Sequence, residues 1–362
     1  MAANGPYRRS FLTLAVVVAL LLVFLCIIPI YPMALCAYIF QPFQWLRNNI
    51  FGLAPFSIGD LIYLLTGVSI AALIVKWIVY IIRFKSRKQA LARSLLRTLI
   101  TAGAVYLVFL WGWGINYYKP ALSESWKLNS RLPENDSFYI GFDSFLISRL
   151  NAYAPHYQSM SFQEIGKRSV AYYQKYTRHS AMVNDMKVKA SLFGNLLEYM
   201  GVQGYYNPLT GEAQVNSNLP DFMLPFVVCH ELAHQAGVAA EDDANLMAYA
   251  LGTRVSDTAF GYSAYFNLWL YTHSRVKMLD TTLARGLYKT LNATSVAHLD
   301  TLRAISKRYR SKLSKYSNGW YDRYLRMQHV KKGIESYEDV VETAYTWELT
   351  KPTRKDSLIA IP

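Results

Sequence analysis

The stretch FVVCHELAHQAGVAAEDDANLMAYA, residues 226–250, sets His230, Glu231 and His234 within about one helical turn and follows them with Glu241, Asp242 and Asp243. Two histidines four positions apart on a helix project from one face and can share one tetrahedral Zn2+. Glu231 sits beside the first histidine, displaced from the ion but placed to take a proton from a zinc-bound water. Zinc would bring the pKa of that water toward neutrality and polarise a carbonyl, with Glu231 passing the proton on to a leaving amine. The chemistry expected is amide hydrolysis.

A catalytic zinc needs a third protein ligand and an open position. Gly237 suits the left-handed residue that ends a helix, residues 238–240 reverse the chain, and EDDANLMAYAL begins a second helix with its acids where they suit the dipole. Glu241, Asp242 and Asp243 are the candidates for the third ligand, against a plain reading of all three as first-turn charges. Cys229 points to another face and reads as a small buried residue. His273 and His298 are single histidines on apolar-periodic helices and read as core or surface groups.

Hydrophobic residues make up 52% of the 362 and charged residues 17%, below the roughly 25% of ordinary globular domains. The excess is local. Residues 11–31, 61–84 and 98–118 are apolar runs of about bilayer length, the second carrying only Lys76 and Arg83 near one end. No small-x-small site follows the first run, so it reads as a span and not a cleaved leader. Arg8 and Arg9 precede it, and Arg83, Lys85, Arg87, Lys88, Arg93 and Arg97 crowd the second link, whereas residues 32–57 hold only Arg47. The positive-inside rule puts the N-terminus in the cytoplasm and everything after Tyr118 outside the plasma membrane. Trp111, Trp113, Tyr117 and Tyr118 are expected as an aromatic belt, and PFQWLRNNIFGLAPF in the first link has an interfacial composition.

The net charge is +14. Residues 1–116 hold ten Lys and Arg against the single acid Asp60, so most of this balance is a topology signal, and a nucleic-acid partner loses its main support. The basic run at 303–315 reads as a solvated helix face that could also meet anionic lipid. Three cysteines, Cys26, Cys36 and Cys229, make no disulfide framework, so the C-terminal domain must be held by its core.

Beyond Lys119, apolar spacings of three and four predict helices over 142–153, 162–176, 190–200, 224–236, 241–253, 262–278, 294–316 and 337–347. GVQGYYNPLTGEAQVNSNLP (201–220) breaks the pattern and predicts a hairpin or edge strand from Gln203–Tyr206 and Ala213–Asn216. An edge strand beside a metal site suits an extended peptide added as a further strand.

HELAH followed by Glu-x-x-Ala-Asn resembles the gluzincin clan of zinc metallopeptidases. That resemblance implies Glu241 as third ligand and Asn245, one turn on, as the hydrogen-bonding support of His230. The link of six residues, 235–240, is shorter than in most gluzincins, and the metzincin alternative fails because its third histidine position is Ala240. The wider layout, including YNPLTGEAQVN and a late YDRYLR…GIESYEDVV block, is similar to a family of bacterial membrane proteins of unknown function with a zincin-like motif. Many such sites add a tyrosine for the oxyanion, and Tyr321, Tyr324 and Tyr337 are the candidates.

The expectation is a mainly α membrane protein, with a membrane domain at 1–118 and an extracytoplasmic zincin-like domain with a small β element at 119–362. It would act as a zinc metallopeptidase on envelope peptides or proteins. An inactive zincin scaffold serving as a binding or sensing module is the competing class, and hydrolysis of a cell-wall amide would use the same residues.

Overall fold

The computed structural model describes residues 8–128, 136–178, 181–309, 340–350 and 359–361. Three helices are long and apolar enough to cross a membrane: α1 (Arg8–Ile27), α4 (Ile58–Ile82) and α5 (Phe84–Gly112). At 1.5 Å per residue, α4 runs about 37 Å, more than the roughly 30 Å of a hydrocarbon core. Gly103 lets α5 approach α1, since a Cβ there would lie 2.7 Å from Val17.

The third apolar helix ends earlier than 98–118 predicts. Helix α5 stops at Gly112, and Gly114–Tyr118 form a 3-10 turn whose first three residues are buried. Trp111 is exposed, but Trp113 is not a belt residue: it is buried, 4.3 Å ring to ring from Tyr206. The first link also folds back onto the protein. It comprises α2 (Pro32–Leu35), a π-turn at Cys36–Phe40 and α3 (Gln41–Phe51), and α3 buries Gln44, Arg47 and Asn48.

Helices α6 (Leu122–Ser125), α7 (Ser137–Tyr153) and α8 (Phe162–Tyr176) precede a three-stranded sheet. Its strands β2 (Val188–Ala190), β3 (Gly204–Asn207) and β4 (Glu212–Val215) run in the order β2-β4-β3, with β3 antiparallel and β2 parallel to β4. A separate two-residue pairing joins β1 (Thr177–Arg178) to β5 (Ile359–Ala360). The hairpin agrees with the sequence reading. The helix expected over 190–200 is shorter: Ala190 pairs with Val215 in β2, and only Gly194–Met200 is helical, as α9.

The rest is helical: α10 (Leu224–Gln235), α11 (Glu241–Arg254), α12 (Thr258–Leu279), α13 (Thr281–Tyr288), α14 (Ala293–Arg308) and α15 (Val340–Thr350). Every residue of α10 is buried. One apolar cluster runs from α7 through α10, α11 and α12 and includes Phe40 and Trp113 from the membrane side of the expected 118/119 boundary.

The sheet divides its side chains by the period of two. Ala213, Val215 and Tyr206 face α10 and Trp113, whereas Tyr205, Asn207, Glu212 and Gln214 face the first turn of α4. There the Glu212 carboxylate accepts from the Gly59 N–H at 2.6 Å and the Ile58 N–H at 3.2 Å, as an anion at a helix N-terminus should. Lys189 balances it at 2.5 Å. The small sheet is thus clamped between a membrane-length helix and the helix that carries HELAH.

Candidate metal centre

Helix α10 starts with Pro225 in its first turn, and the Phe226 N–H donates to Ser263 Oγ at 3.1 Å. It ends at Gly237, whose φ of +90° is open to glycine at little cost. The Gly237 N–H donates to the His234 carbonyl and the Val238 N–H to the Ala233 carbonyl. A Cβ at 237 would also lie 2.7 Å from Phe40 and 3.0 Å from Asn116 Oδ1. The turn therefore leaves no room for a side chain, and it points the first turn of α11 back at the histidines.

His230, His234 and Glu241 converge, with one ligand atom from each lying within 4.8 Å of the others. Glu241 Oε2 is 3.1 Å from His230 Nε2 and 3.4 Å from His234 Nε2, and the two Nε2 atoms are 3.1 Å apart. The opposite ring nitrogens are held from behind. His230 Nδ1 donates to Asn245 Oδ1 at 2.8 Å, and His234 Nδ1 donates to the Val238 carbonyl at 2.7 Å. A carbonyl can only accept, so His234 must carry its proton on Nδ1, leaving Nε2 for the shared centre.

Burial alone disfavours charge here, and the four groups resolve the conflict unequally. Burial and the two histidines oppose one another at Glu241, and the histidines prevail, holding its carboxyl well below the usual carboxylate range. Burial pulls His230 down. It acts the same way on His234, but the Glu241 and Glu231 carboxylates outweigh it and push His234 up to about 9. Burial pushes Glu231 up to about 8, against the pull of His234. Glu231 Oε2 is buried without a hydrogen-bond partner among the described residues. An unsatisfied carboxylate oxygen is costly in a folded interior, and that cost points to a missing polar partner.

These features fit a divalent cation of the zinc type: two imidazole nitrogens and one carboxylate oxygen, buried, with their supporting hydrogen bonds in place. Asp243 is placed elsewhere, accepting from the Leu122 N–H at 3.0 Å, and burial together with the charge of Asp242 raises its pKa. Asp242 is not in the converging group. Cys229 is fully buried, its thiol pushed up to about 12 by that burial. His273 pairs with Asp143 at 2.9 Å, and His298 stacks on Phe222 and meets the Tyr262 hydroxyl at 2.8 Å; neither belongs to the centre. Tyr321, Tyr324 and Tyr337 lie outside the described residues.

Sequence reasoning missed four neighbouring residues. Gly204 of β3 stands where a Cβ would lie 2.6 Å from Glu231 Oε1. Trp113 meets His234 edge to face at 5.8 Å. Gln235 donates to the Gly211 carbonyl at 2.7 Å, while Arg47 bonds the Pro208 carbonyl, the Gly112 carbonyl and the Tyr206 hydroxyl. Only Gly204 carried a local signal, as a glycine inside a strand.

No curated protein and no solved structure matches the chain. A family model described as a protein of unknown function, DUF3810, matches residues 36–345. That range takes in most of the first link, two of the three membrane-length helices and the whole candidate centre, so the chain belongs to the DUF3810 family.

Proposed function

We propose that this chain is a membrane-anchored zinc metallopeptidase of zincin type whose helical domain faces outward from the plasma membrane. The observation that carries the reading is the convergence of His230, His234 and Glu241 beside a buried Glu231 with an unpartnered oxygen. Zinc held by His230 Nε2, His234 Nε2 and Glu241 Oε2 would supply Lewis acidity toward water and a scissile carbonyl. Glu231 acts as general base. A carboxylate beside the ion can take a proton from water and return it to the leaving amine. Peptide substrates are favoured by β3, an edge of its sheet, whose Gly204 lies against Glu231. The outward orientation rests on the basic residues at 83–97 against the lone Arg47 of the first link.

One observation favours a second reading. The ligands and Glu231 are only 4–8% exposed, as in a closed structural site, and a scaffold holding its metal for a binding or sensing role would also look like this. The test is cleavage of a quenched-fluorescent peptide library by the full chain, with Glu231→Gln as the partner variant. Zinc-dependent cleavage lost in Glu231→Gln, with the metal retained, supports the enzyme. Metal binding without cleavage in either protein supports the scaffold.

A further inference from the structure

Helix α3 has its amphipathicity turned inside out. It buries Gln44 and Arg47 (2% exposed) against the hairpin and Asn48 against Gln235 of α10, and presents Trp45, Leu46 and Ile50 to the outside, with Leu53 just beyond it at 82%. A helix beside water does the reverse. Beside the α4 N-terminus, Leu192, Leu196 and Tyr199 are exposed at helical spacing on α9 and the turn before it. Their height along α4 is fixed: the Leu192 N–H donates to Asp60 Oδ2 at 2.6 Å, and Asp60 lies in the first turn of α4. Tyr205 of β3 bonds Asp60 as well, and its ring is 6.2 Å from Tyr63. The exposed Tyr63 and Leu64 of α4 thus lie within four residues of Asp60, the group that anchors Leu192.

Charge points the same way. The ring of Tyr199 meets that of Tyr309 at 5.0 Å, directly after Lys307 and Arg308 in the last turn of α14. Apolar groups, tyrosines and basic residues in this order suit the boundary between hydrocarbon and anionic headgroups.

We propose that α3 and the Leu192–Tyr199 segment form a collar seated in the outer leaflet of the same bilayer that α1, α4 and α5 cross. The occupant of this surface is lipid. The collar deepens the proposed function and rests on its membrane reading: it holds the edge of β3 that pairs with no strand among the described residues beside the bilayer surface, the side from which a membrane-borne polypeptide would arrive.

The test uses the full chain in phosphatidylcholine–phosphatidylglycerol vesicles, in a Cys26→Ser background, since Cys36 and Cys229 are buried. Nitroxide labels go on Leu53→Cys and Leu196→Cys, with Leu64→Cys as the span reference and Asp300→Cys as the water reference. Collision with oxygen is compared with collision with a water-soluble nickel chelate. The oxygen-to-nickel ratio is expected to be several-fold higher at 53 and 196 than at 300, approaching that at 64. A ratio at either 53 or 196 equal to that at 300, with 64 still in lipid, overturns the collar alone. A water-like ratio at 64 removes the membrane reading and the collar with it. No arm depends on metal or hydrolysis, so a failure of the peptidase reading stays distinct.

Discussion

Gly204 on β3 stands against Glu231 on α10, so close that a Cβ at 204 would be 2.6 Å from one carboxylate oxygen and 2.8 Å from Cγ. The glycine fixes where the Glu231 carboxylate can lie, because β3 cannot retreat while β4 is bonded to the first turn of α4. Gly204→Ala is therefore expected to displace the Glu231 carboxylate while leaving zinc content unchanged. A misplacement of about 1 Å can cost 10²-fold in rate. The check is kcat on the best library peptide beside zinc content, and unchanged kcat would remove Gly204 from the account.

Glu231 should make the metal-free protein less stable at alkaline pH. In the unfolded chain it loses its proton near 4.5, and in the fold near 8. Between these values the folded chain holds the extra proton, so stability falls as pH rises, by about 1.4 kcal/mol per unit. Glu231→Gln removes that slope. In chelator at pH 8 the variant is expected to be more stable than wild type by about 4 to 5 kcal/mol, and equal melting temperatures would show that Glu231 is not desolvated as described.

Metal binding should release protons. His234 is raised to about 9 without metal, and only its neutral form offers Nε2. Zinc affinity is expected to rise about tenfold per pH unit below 9, with about one proton released per ion near pH 7 from this group. Calorimetry in buffers of different ionisation enthalpy measures the release, and a buffer-independent heat would contradict it.

Asn245 supports His230 from behind at 2.8 Å. Removing such a partner costs about 10–100-fold in metal affinity. Asn245→Ala is expected to weaken zinc binding by that factor, measured by chelator competition, and Asn245→Asp to restore it, because a carboxylate also accepts from Nδ1.

How much of this was legible beforehand follows from where each constraint lies. The ends of α10, the turn at Gly237 and the first turn of α11 could be read from HELAHQAGVAAEDD because caps and helix periods are local. The hairpin could be read because Asn207-Pro208 and Thr210-Gly211 mark its turn. Strand β2 has three residues and exists only through its pairing with β4, so periodicity could not distinguish it from a helix start. Arg47 and Trp113 were hidden for another reason. They lie in segments read as membrane link and membrane belt, and their partners, Pro208, Tyr206 and His234, are about a hundred residues or more away in the chain.

The central claim is that His230, His234 and Glu241 hold one zinc ion, with Glu231 beside it and not bound to it. The most direct measurement is zinc per chain of the purified full-length protein, for wild type, Glu241→Ala and Glu231→Gln. One zinc in wild type and in Glu231→Gln, with loss in Glu241→Ala, is the expected result. A folded wild-type chain that takes up no zinc when supplied with it, or a Glu241→Ala variant that keeps its ion at full affinity, would contradict the account.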